Sequence, residues 1–77
     1  MPLYHFDVQF DDRPVSVDED GLELSGSEEA LHQAYDLVPG LAKDHLVACR
    51  TLTIRVRDGQ PEPVATLRLS MSVEERS

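Results

Sequence analysis

His45 and Cys49 stand four residues apart. On a helix that spacing turns both side chains to one face, where an imidazole and a thiolate can share a metal ion. Two ligands do not close a site. Structural zinc takes four, and the other histidines are His5 and His32. A small buried Cys49 near a helix end, with a hydrogen-bonded His45, is the simpler account of the pair. Asp18-Glu19-Asp20-Gly21 raises calcium next. Aligned to a helix–loop–helix calcium loop, however, Ser16 takes the first ligand position and Ser27 the place of the bidentate glutamate. That tract is expected to be a turn. The chain has no Gly-x-Ser-x-Gly elbow, phosphate loop or dinucleotide glycine motif, and no cofactor is implied. The remaining polar group is His5, Asp7, Arg55, Arg57 and Arg68, all at alternate positions of strand-like segments. Guanidinium pairs bidentately with carboxylate, so on one shared face these five residues form a candidate interaction surface.

The elements that must position them follow from periodicity. Tyr4, Phe6, Val8 and Phe10 alternate with His5, Asp7 and Gln9, which describes a half-buried strand. Asp11-Asp12-Arg13-Pro14 is turn chemistry, and Val15 and Val17 are expected to begin a short second strand that starts at Pro14 or lies at an edge. After the acidic turn and Leu22-Glu23-Leu24, a helix start is marked by Ser25 with Glu28 three residues on, or by Ser27. Leu31, Ala34, Tyr35, Val38, Leu41, Ala42, His45 and Cys49 then form one apolar stripe. Pro39-Gly40 interrupts it, and because the stripe keeps its phase a kinked helix is expected rather than two. Backbone groups bared at such a kink, beside His45 and Cys49, make a second candidate site, for a small ligand or for catalysis. The last third alternates through Leu52, Ile54 and Val56, then through Ala65, Leu67, Leu69, Met71 and Val73, around an Asp58-Gly59 hairpin turn.

The order is therefore ββαββ, an α+β fold of two layers: a four-stranded, mainly antiparallel sheet with one kinked helix on one face. Residues 1–77 form a single domain, with 73–77 as a frayed tail. A sheet order of 2-1-3-4 would bring His5 and Asp7 near Arg55 and Arg57 on the face away from the helix.

Composition narrows the function classes. Leu, Ile, Val and Phe make up about 27% of the 77 residues, above the ~20% below which disorder is the default. A net charge of −8 argues against nucleic acid, whose partners need clustered Lys and Arg. The charge is split: residues 1–36 carry ten acids and one base, residues 37–77 five acids and six bases. One cysteine excludes an internal disulfide. No apolar run approaches the ~18 residues of a membrane span, and Met1–Asp7 lacks a signal's basic end and apolar stretch. A cytoplasmic protein is expected, with no membrane partner.

Tyr4-His5-Phe6-Asp7 in the first strand and Asp18-Glu19-Asp20-Gly21-Leu22-Glu23-Leu24 in the following turn resemble a known pattern. It is that of a family of short alphaproteobacterial proteins of unknown function, which open with an aromatic-x-Phe-Asp strand and carry an Asp-Glu-x-Gly-x-Glu-Leu turn. The resemblance spans nearly the whole chain and departs at Pro39-Gly40, where uninterrupted helix is the rule. It implies a bacterial cytoplasmic domain and, since the family has no established activity, transfers no catalytic role. The expected function is that of a non-enzymatic protein-interaction or self-associating module, a homodimer or the partner of another protein.

Overall fold

A computed structural model describes residues 2–45, 50–72, 74 and 76. Five elements appear in chain order: β1 (Leu3–Phe10), β2 (Leu22–Glu23), α1 (Ser27–His45), β3 (Thr51–Arg57) and β4 (Ala65–Ser70). The four strands form one antiparallel sheet in the order β2-β1-β3-β4. The expected α+β fold and strand order are those observed.

The alternation of β1 and β3 works as period-two patterning requires. Tyr4, Leu52, Ile54 and Val56 are buried on the helix side, with Phe6, Val8 and Phe10 packed partly buried against them. On the opposite face the register sets His5 against Arg57, Asp7 against Arg55, Gln9 against Thr53, and Thr53 in turn against Arg68.

The inward stripe of the helix keeps the expected Ala34, Val38, Leu41 and Ala42, gains Ala30 and Leu37, and leaves Tyr35 out. Ala30 and Ala34 are fully buried, Leu37, Val38, Leu41 and Ala42 pack partly buried behind them, and Tyr35 is 60% exposed. Two alanines at the point of contact let the helix backbone approach the sheet closely, and a tyrosine cannot. Pro39 lies within α1, which runs unbroken from Ser27 to His45. The proline withholds the N–H that Tyr35's carbonyl would accept, and since Tyr35 is exposed water can satisfy that carbonyl.

The start of α1 is also built otherwise than expected. The Gly26 carbonyl accepts the first helical bond, from the Ala30 N–H. Glu29, not Glu28, reaches back to accept from both the N–H and the hydroxyl of Ser25. Those bonds hold the Glu29 carboxyl below its usual range.

The second strand is displaced. Val15 to Val17 form no strand; Ser16 alone bridges to Val8, each N–H donating to the other's carbonyl. Pairing with β1 is made instead by Leu22–Glu23, opposite Tyr4 and Leu3. The chain between bows over the sheet margin to place Asp18.

Candidate functional site

Two features of the sheet merit a functional reading. The first is a polar knot beside β1. Asp7, expected on an exposed face, is 6% exposed. Its Oδ2 accepts from Arg57 Nε at 2.5 Å, and its Oδ1 accepts from Arg57 Nη2 at 3.1 Å and from the Asp18 N–H at 2.9 Å. Arg57 extends across β1 and also donates to the Asp18 carbonyl at 3.2 Å, an oxygen that takes a second bond from His5 Nδ1–H at 2.8 Å. The Asp18 carboxylate closes the knot by accepting from the N–H groups of Phe6, Asp20 and Gly21.

Charge is balanced by donors throughout the knot. Burial pushes the Asp7 carboxyl upward more strongly than any other single influence. The bonds from Arg57 and the Asp18 N–H, with the charges of Arg57 and His5, together outweigh it and hold the carboxyl below the ordinary value. Asp18 behaves alike: desolvation raises it, and the Gly21, Phe6 and Asp20 amides overcome that. Hydrogen bonding to Asp7 raises Arg57 further above its already high value. Gly21 makes the turn possible. Its φ is +75°, and a Cβ there would lie 2.9 Å from both His5 Cε1 and Leu3 Cγ, so neither the backbone nor the space admits a side chain.

The carboxylate oxygens of Asp7 and Asp18 and the Asp18 carbonyl all accept from the protein itself, which gives the knot the character of a brace. It clips the 11–21 segment onto β1 and β3 and explains why Tyr4-His5-Phe6-Asp7 and Asp18–Gly21 belong together. The organising role of Asp18 was missed from the sequence. Its signal was present: an aspartate three residues before a glycine is an Asx turn awaiting partners.

A second brace joins β1 to β3. Asp11, at φ +51°, accepts the Arg50 and Thr51 N–H groups at 3.0 and 2.9 Å and donates its own N–H to the Thr51 carbonyl.

The second feature is the β4 margin. The far edge of the sheet is blunted: β1's outer groups bond to Ser16 and β2, the Leu24 N–H is taken by the Pro2 carbonyl, and β2, the last strand there, is only two residues long. At the β4 edge no further strand pairs among the described residues. The Met71 N–H bonds to the Arg50 carbonyl, and the ladder's alternation then turns the N–H and C=O groups of Thr66, Arg68 and Ser70 outward. α1 packs on β1 and β3 and leaves β4 largely uncovered. A groove of about 280 Å³ opens there between Tyr35 and Val38 of α1 and Leu52, Ile54, Leu67 and Leu69 of the sheet. Leu69 is 36% and Met71 41% exposed.

The five polar residues thus divide. His5, Asp7 and Arg57 are consumed within the fold. Arg55 and Arg68 are exposed, and among the described residues the one ion pair is Asp7–Arg57. His45 is exposed, with its ring 4.3 Å from that of Phe10. Cys49 lies outside the described residues, and so does the pairing considered for it. Pro39 and Gly40 are exposed. No group of three or more His, Cys, Asp and Glu able to hold a metal occurs among the described residues, and no described helix is long and apolar enough to cross a membrane.

A family profile described as a domain of unknown function (DUF6894) matches residues 3–70. No curated protein and no solved structure matches the chain.

Proposed function

Because the chain belongs to that family, a domain of unknown function (DUF6894) covering residues 3–70, we propose its role from its surface: a protein-interaction module that binds through the β4 edge. The observation that carries this is the asymmetry of the two sheet margins. One is blunted by Ser16 and the two-residue β2; the other is a six-residue strand with no outer strand partner among the described residues, next to an apolar groove. Native sheets blunt exposed edges, and Arg68 is the one charge on β4. An edge left open beside Leu67, Leu69 and Tyr35 is suited to receiving another strand. The same reading sets the module in a bacterial cytoplasm and among alphaproteobacterial relatives. Its support is the single cysteine and the joining of the two signature segments in one knot.

Photo-crosslinking tests it. Benzoylphenylalanine is placed at Tyr35, which lines the groove, or at His32, which is exposed elsewhere on α1. Each is combined with Thr66→Pro, whose missing N–H faces outward and so spares the β3 ladder. Adducts specific to position 35 and lost with Thr66→Pro are expected in cells. Identical adducts from both positions, or adducts that survive Thr66→Pro, would refute an edge-binding role.

A further inference from the structure

We infer that the occupant of the β4 edge is an extended segment of another protein in which carboxylate and apolar side chains alternate. This rests on the proposed edge-binding role and adds the partner's chemistry.

Three observations fix the pattern. The outward groups of Thr66, Arg68 and Ser70 recur at every second residue, which matches the hydrogen-bonding rhythm of an added strand and of nothing helical. Such a strand presents alternate side chains to the two faces of the sheet. On the helix side they would meet the groove between Tyr35, Val38, Leu67 and Leu69, where apolar groups are favoured. On the other side they would meet Arg68 directly. Arg55 is its diagonal neighbour, since Arg55 pairs with Thr66 and Thr53 with Arg68. Both guanidiniums are exposed, and neither has a carboxylate partner among the described residues.

Charge also decides against a second copy pairing β4 to β4. A two-fold axis centred at Leu67, Arg68 or Leu69 sets Arg68 directly opposite its own copy or two residues away. The two Arg68 Cβ atoms would then lie about 5–8 Å apart on one face, like charges on neighbouring strands, with Arg55 adding to the repulsion. The chain's acidity does not prevent an acidic partner. Four of the ten acids in residues 1–36 lie between Asp18 and Glu23, along the β2 margin across the sheet from β4. Three strand spacings, about 14 Å, exceed the ~8 Å screening length at physiological salt.

The test uses the full chain labelled with nitrogen-15 and two terminally blocked decapeptides, one alternating glutamate with valine, the other lysine with valine. Amide shifts are followed at about 50 mM and about 300 mM salt. The glutamate peptide is expected to shift Thr66, Arg68, Ser70 and Val38, to bind about five- to tenfold more tightly than the lysine peptide, and to lose that advantage at high salt. Arg68→Glu should invert the ranking while keeping the dispersed spectrum of a folded chain. Shifts at β4 that are equal for both peptides would refute the acidic partner and leave the edge role standing. Shifts at neither β4 nor the groove would refute both. If the same amides shift with protein concentration alone, a second copy holds the edge and the inference fails.

Discussion

Asp7→Asn isolates the polar knot with the smallest change in shape. The carboxylate accepts three bonds, two from Arg57 and one from the Asp18 N–H. An amide keeps one acceptor oxygen, and turns an NH2 group toward donors. At least one bond to a charged group is lost, worth about 1.5–3 kcal/mol where the partner stays buried. The Arg57 side chain is 33% exposed and can re-solvate, so a cost of about 2 kcal/mol is expected. For a domain this small that lowers Tm by about 8–16 °C. It also lowers the urea midpoint by about 2 M if m is about 1 kcal/mol/M.

The pH dependence provides an independent check on the same substitution. The folded Asp7 carboxyl is held below the ordinary 3.8, as is that of Asp18. Below 3.8 the unfolded chain takes up protons that the folded chain still refuses. The stabilisation is therefore whole above the ordinary value and drains away as pH falls through the folded one. Urea melts across the acid range should show a shallower loss for Asp7→Asn, because Asp7's share is already gone. A cost under about 0.5 kcal/mol with an unchanged acid limb would refute the knot as a brace, and would class Asp7–Arg57 with surface pairs.

Other substitutions probe the remaining parts by thermal or urea melts. Gly21→Ala meets both a φ of +75° and contacts at 2.9 Å, and should cost about 1–3 kcal/mol. At Asp11, asparagine tolerates the positive φ and keeps an acceptor, so it should be mildest; alanine, which loses both, should cost about 1–2 kcal/mol. Leu52→Ala removes a side chain that is 1% exposed and should cost about 2–4 kcal/mol. Tyr35→Ala, at an exposed position, should change stability by less than about 0.5 kcal/mol; a large loss would mean that Tyr35 packs in the core after all.

Period-two alternation decided much of this fold before any contact was known. It assigned Tyr4, Ile54 and Val56 to one face and His5, Asp7 and Arg55 to the other, because a strand offers its side chains only two directions. With a capped amphipathic helix between the strand pairs, that sufficed for the ββαββ order and for the meeting of Asp7 with Arg57. What it did not carry was any relation set by distance along the chain or by depth. Asp18 reads locally as one acid in an acidic tract, and only folding brings it to His5 and Phe6 of β1 and Arg57 of β3. Pairing at Leu22–Glu23 rather than at Val15–Val17 follows from that clip. The helical stripe was broad enough to rotate, and close contact between α1 and the sheet chose Ala30 and Ala34 over Tyr35. That choice, together with the failure of one helix to cover four strands, left β4 open. Local patterning sets which side a residue takes; how far each side is covered is decided by packing whole elements together.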